Sequence, residues 1–183
     1  MNSIYTRRKG ERMEANEFVK LALERIQESV DRATNGLTEE ELKWQPNPEA
    51  NPIGFILWHQ IRAEDGIVNG MIRQQPQVWM TGKWYEKCNM SDDPQNSGGG
   101  YTPEQIATFK PPKLEVLQEY AKAVRAQTNE YLDSLTPDKF NDVIETPFGK
   151  FTVVQILTLL LSELAQHTGH IGYIRGLKRG FNK

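Results

Sequence analysis

Apolar residues recur along this chain at helical spacing and almost nowhere in strict alternation. Between Arg12 and Thr34, the residues Phe18, Leu21, Leu23, Ile26 and Val30 sit among charges at a period near the helical one, and Asn35-Gly36 follows as a stop signal. This predicts a first long helix. In Leu37–Gln45, Thr38 precedes Glu41 by three residues, a capping-box pattern that predicts a short helix ending at Pro46-Asn47-Pro48. Asn51-Pro52 predicts the start of a second long helix, because Asn caps well and Pro is tolerated in the first turn. Its apolar pattern runs to Met71 or Ile72. A further short helix is predicted at Thr102-Pro103-Glu104-Gln105, and a third long one from Lys113 to Leu135, after the Pro111-Pro112 break. Thr136 to Lys150, with Pro147-Phe148-Gly149, predicts a turn or small hairpin. Thr152 then caps the longest apolar segment, a fourth helix reaching to Gly180. With no internal repeat and no strand-rich stretch, the pattern predicts an all-α fold, a four-helix bundle.

Between the second and third helices, Gln74 to Tyr101 carries Trp79, Trp84, Tyr85 and a Ser-Gly-Gly-Gly run at 97 to 100. A connection that long inside a compact domain is either functional or partly disordered.

The chain's 183 residues suit one domain spanning 1–183, with residues 1–11 expected to be flexible. A chain of this size buries about 70% of the surface it exposes when unfolded. Cys88 is the single cysteine, which excludes an internal disulfide and a multi-cysteine zinc site and suggests a reducing, cytoplasmic setting. The start, MNSIYTRRKGERMEANEF, has no apolar run behind its positive charge, and no stretch approaches the roughly 20 apolar residues that span a bilayer. Export and membrane insertion are therefore not expected. With 22 basic and 24 acidic side chains and a net charge of −2, the basic residues form no patch, so nucleic acid is not the expected partner.

Candidate chemistry comes from the three histidines. On the fourth helix Ile156, Leu160, Glu163, His167, His170 and Ile174 follow one another at steps of four and three residues, the spacing of a core-facing stripe. Glu163, His167 and His170 interrupt it and lie within about 60° of one another around the helix. On the second helix the comparable stripe reads Ile56, His59, Ala63, Gly66, Gly70, whose small residues permit close helix approach or leave room beside His59. A carboxylate on a core stripe is costly unless paired or metal-bound. If these two helices are neighbours, His59 meets Glu163 and His167. Two imidazoles and a carboxylate suit a divalent transition ion with positions left open for water or substrate, where it acts as a Lewis acid. The plain alternative is a hydrogen bond or ion pair between Glu163 and His59 or His167 in a purely structural bundle. Glu64 and Asp65 project away from the stripe of His59 and are expected on a solvated face or paired with nearby basic side chains. Cys88, with Lys87 as its only basic neighbour, is expected to be an incidental cysteine in a polar loop. The tail LKRGFNK is expected to be a positively charged helix C-terminus.

Two stretches, NPIGFILWHQIRAEDGIV (51–68) and TPFGKFTVVQILTLLLSELAQHTGHIGYIRGL (146–177), resemble the DinB/YfiT-like superfamily of bacterial metal-binding four-helix bundles. The resemblance implies an up-down-down-up topology with a long crossover between helices two and three. It implies His59 as first metal ligand, Glu163 in a place often held by His, and His167 as third. Glu at that place is like the branch that includes mycothiol-dependent enzymes. His170 stands where many members have Gln, and three roles stay open for it: fourth ligand, substrate-orienting group, or catalytic acid/base. Arg175 matches an arginine common in the last helix and is expected to serve packing or an ion pair. The crossover aromatics either roof the metal pocket or pack the crossover onto the bundle. Members bind nickel, zinc or a similar ion and often form homodimers, and some use bacillithiol, mycothiol or glutathione. The functional expectation is thus a metal-dependent transferase or hydrolase, foremost a transferase using a low-molecular-weight thiol and a small-molecule substrate. The alternative is a non-enzymatic metal- or ligand-binding stress-response protein.

Overall fold

A computed structural model describes residues 13–180; the segment 1–11, expected to be flexible, lies outside the described residues. The described chain is mostly helical. Helix α1 (Ala15–Thr34) is followed by a short α2 (Glu39–Lys43) and by α3 (Ile53–Asp65), which widens into a π-helical stretch, Gly66–Ile72. The crossover contains α4 (Val78–Thr81) and α5 (Trp84–Cys88), and α6 (Pro103–Thr108) leads to α7 (Leu114–Ser134). A 3-10 turn, Pro137–Asn141, and an antiparallel hairpin of β1 (Val143–Thr146) and β2 (Gly149–Thr152) precede α8 (Val153–Arg179).

Local chemistry explains the helix starts. Thr38, Thr102 and Thr152 each accept a hydrogen bond from the backbone three residues on, while Glu41, Gln105 and Gln155 reach back to the cap's own N–H. For α3 the cap is Pro52 rather than Asn51, without a side-chain bond. Helices α1 and α3 each pack against both α7 and α8. Asn16 Nδ2 donates to the Leu132 carbonyl, Arg125 to that of Leu23, Arg175 to that of Arg32, and Arg179 to that of Gly36.

The stripes read from spacing need two corrections. On α1 the core face is Val19, Leu23 and Val30, while Phe18 is exposed. On α8 Ile156, Leu160 and Ile174 of the expected stripe are buried, but between them the buried face runs through Leu164, Thr168 and Ile171, so Glu163 and His170 sit one residue off it. With apolar residues nearly all round α8, spacing alone cannot choose between adjacent stripes.

A third correction concerns Glu64 and Asp65, which are buried rather than solvated. Eleven of the thirteen residues of α3 are buried, so the side facing away from His59 meets α7, not water. The pairing half of the expectation holds: Glu64 forms a two-pronged bond with Arg125, at 2.7 and 2.8 Å, and accepts from the Thr128 hydroxyl. Asp65 accepts from the backbone N–H of Val78 and Trp79, from Asn69 Nδ2 and from the Tyr120 hydroxyl, all within 2.9 Å, and lies 3.7 Å from the Arg62 guanidinium. Arg62 in turn donates to the carbonyls of Pro94 and Asn96, to Gln77 Oε1 and to Tyr120. Gly66 and Gly70 make room for the Gln77 side chain, not for a neighbouring helix. This polar layer lies between two apolar clusters, one built on α3 and the first half of α7, the other on Val68 and Ile72 of the π-helical stretch and the last turn of α7.

Removing one member of a buried charged pair strands the other and typically costs about 3–5 kcal/mol. Asp65→Ala is expected to lower stability by about that amount in urea unfolding, with faster amide exchange at Val78 and Trp79. At the other end of the bundle, the Arg179 guanidinium and the Thr38 backbone N–H hold the Glu41 carboxyl at about 2, below its usual 4.5. Because the folded value is depressed, this contribution is complete above pH 4.5 and is lost as pH falls toward 2. Glu41→Gln is expected to flatten the acid limb of a stability–pH curve within that window, read from urea midpoints.

Candidate metal centre

His59 reaches the α3–α8 seam from α3, and Glu163 and His167 reach it from α8, one helical turn apart. Glu163 Oε1 is 2.9 Å from His167 Nε2 and 3.4 Å from His59 Nε2, and the two imidazoles meet edge to face. Between 15% and 32% of these side chains remains exposed, so the cluster sits at the edge of the core with one side open.

The tautomer of His59 follows from its other nitrogen. Nδ1 lies 2.6 Å from the Ser97 carbonyl oxygen, and a carbonyl only accepts, so Nδ1 carries the proton. In the neutral ring Nε2 then presents a lone pair to the Glu163 carboxylate. Two acceptors face one another unless a proton or a cation lies between them. His167 is driven toward its neutral form, since burial lowers its pKa below 6.5 against the opposing pull of Glu163. Its Nδ1 is buried without a hydrogen-bond partner.

The donor set fits a divalent ion. One ligand atom from each of His59, Glu163 and His167 lies within 4.8 Å of the others. Bonds of roughly 2.0–2.2 Å hold opposed ligand atoms up to about 4.2 Å apart, so side-chain adjustments below 1 Å suffice. Two neutral imidazoles and one carboxylate supply the mixed nitrogen and oxygen donors that such ions take.

His170 lies outside this set: it is exposed, with its ring 5.6 Å from that of His167. Arg175 ties α8 to the end of α1 through the Arg32 carbonyl. Trp79 and Trp84 pack the crossover against Tyr120 of α7, and Tyr85 packs on Trp79. Cys88 belongs to the core rather than a polar loop, and burial pushes its thiol up to about 11, which leaves it poorly nucleophilic. Spacing did not single out the Ser97 carbonyl as a partner of His59. The glycine run beside it was the available signal, since glycine allows close backbone approach.

A solved structure, that of a conserved protein from Enterococcus faecalis, superposes with a TM-score of 0.81 at 23% identity, covering 93% of this chain and 100% of the other. That likeness shows the shared fold. No curated protein matches the chain. The family model of the DinB superfamily matches residues 22–171, a span that includes α3, the crossover and His59, Glu163 and His167. With that match over most of its length, the chain belongs to the DinB superfamily.

Proposed function

We propose that this protein is a divalent-metal-dependent enzyme, with nickel or zinc held by His59, Glu163 and His167, that transfers a low-molecular-weight thiol to a small electrophile. The observation that carries the metal assignment is the approach of His59 Nε2, unprotonated in the neutral ring, to a carboxylate oxygen at 3.4 Å. When bound, such an ion lowers the pKa of a coordinated water or thiol and holds it as a nucleophile. The protein's own part is to present neutral imidazoles, exclude water from the α3 side through Phe55 and Trp58, and leave the outer side accessible. His170, exposed next to His167, is the proton carrier in this reading.

We read the described bundle and its flanks as one domain over 1–183, located in the cytoplasm, where a buried single thiol suffers no oxidation. The topology in this reading is up-down-down-up. In its support, contacts between α3 and α7 advance together along both helices, from Arg62–Tyr120 to Glu64–Arg125, and contacts between α1 and α7 run in opposite order. No described helix is long and apolar enough to cross a membrane, which supports a partner that is a small molecule rather than a bilayer. We also read the protein as a homodimer joined through the outer face of α8. There Tyr173 and Leu177 are exposed, and Gly169, Gly172 and Gly176 leave open space over the backbone. Interior helix glycines cost roughly 0.5–1 kcal/mol each against alanine, and a closely packed second copy would offset that.

Protein prepared without a polyhistidine tag is expected to carry about one divalent ion per chain by elemental analysis. His59→Ala and His167→Ala should each lower its retention at least about tenfold. Near-zero metal in the unaltered protein would sink the assignment. Turnover of a dinitro-halobenzene with bacillithiol, mycothiol or glutathione tests the transferase step, and His170→Ala should reduce it about 10²–10⁴-fold while metal is retained. Metal without turnover against any thiol or electrophile would leave a metal-binding protein. Tyr173→Glu is expected to shift the sedimentation coefficient from dimer to monomer.

A further inference from the structure

We propose that the turn at Ser97-Gly98, in the crossover, is a positioning element for His59: its carbonyl locks the imidazole with the proton on Nδ1 and so keeps Nε2 free as a donor. The inference rests on the metal reading only for its consequence on ion affinity; the locking itself is a property of the chain.

Three independent contacts hold the turn in place. The Ser97 carbonyl meets His59 Nδ1 at 2.6 Å. Gly98 has φ +85, a left-handed conformation that side chains other than glycine's resist, and a Cβ there would lie 2.6 Å from Trp58 Cζ3 and 2.9 Å from Phe55 Cε2 and Cζ. The backbone of Gly98 therefore rests directly on the aromatic floor of α3, and Phe55 also stacks parallel to the His59 ring, with centroids 6.0 Å apart. Upstream, Arg62 fixes the segment leading into the turn through the carbonyls of Pro94 and Asn96, while the Tyr101 hydroxyl donates to Asn96 Oδ1. A carbonyl clamped from both sides cannot rotate away from the ring it faces.

Free neutral imidazole prefers its proton on Nε2, the nitrogen that points at Glu163 and His167 in this site. The Ser97 carbonyl reverses that preference. The partner of a ligand histidine's second nitrogen typically changes metal affinity about 10–100-fold when removed. Any side chain at position 98 would lift the turn off Phe55 and Trp58 and withdraw the carbonyl from His59.

The test has two arms. In metal-free, ¹⁵N-labelled protein at pH 8.5, long-range ¹⁵N–¹H correlation reports the tautomer of each histidine, with His59 assigned by the signal lost in His59→Gln. The expected result is a protonated Nδ1 at His59; a protonated Nε2 overturns the proposal, whatever any variant does. In the second arm, Gly98→Ala is expected to shift His59 toward the Nε2-protonated form and to weaken zinc binding at least about tenfold in competition with a chromophoric chelator. A folded Gly98→Ala protein with unchanged tautomer and unchanged zinc affinity also overturns it. Should that variant fail to fold, the tautomer of the unaltered protein decides alone. Zinc bound by neither protein would defeat the metal reading, while the tautomer result would still decide whether the turn positions His59.

Discussion

The fold depends on how the buried Arg62–Asp65 pair is satisfied. Two charges at this depth carry a desolvation cost of several kcal/mol each, which their mutual attraction offsets only when the remaining donors and acceptors are filled. Here the filling groups come largely from the crossover: the N–H groups of Val78 and Trp79 bind Asp65, and the carbonyls of Pro94 and Asn96 bind Arg62. Tyr120 adds a hydroxyl to both, and burial, with Asp65 beside it, pushes that hydroxyl far above its usual range, so it stays a donor. A connection of nearly thirty residues with little apolar periodicity is thereby fixed to α3 and α7 without long elements of its own.

That fixing matters at the α3–α8 seam. Ser97 follows Asn96 directly, so the same guanidinium that neutralises Asp65 also sets where the Ser97 carbonyl meets His59. The seam is only half-buried because the apolar face of α8 is turned one residue away from Glu163. A carboxylate there keeps some solvent, which lowers the cost of holding it charged and leaves a side from which a small molecule can approach. His167, more enclosed, is kept neutral by the same burial. The more exposed carboxylate and the more enclosed imidazole thus stand one helical turn apart in unequal surroundings.

Much of this was legible in the order of residues. The threonine caps at 38, 102 and 152, the breaks at Asn35-Gly36 and Pro111-Pro112, and the hairpin near Pro147 are local signals read within a few residues, and the structure has an element boundary at each. The histidine and glutamate spacing also pointed to the three residues that the structure brings together. What spacing misread was orientation. Phe18, the solvated face given to Glu64 and Asp65, and the polar loop given to Cys88 all depend on which neighbours surround a helix. No periodicity carries that information when a helix such as α3 is enclosed on nearly every side.

The sequence by itself determined the helices, their ends and the residue types able to bind a cation, because capping, propensity and side-chain chemistry act over a few neighbouring positions. The tertiary structure alone decided that charges at 62, 64 and 65 belong inside, that a backbone carbonyl at 97 selects the proton position on His59, and which flank of α8 stays open. Those outcomes depend on contacts between residues tens of positions apart, whose energies exist only once the chain has closed on itself.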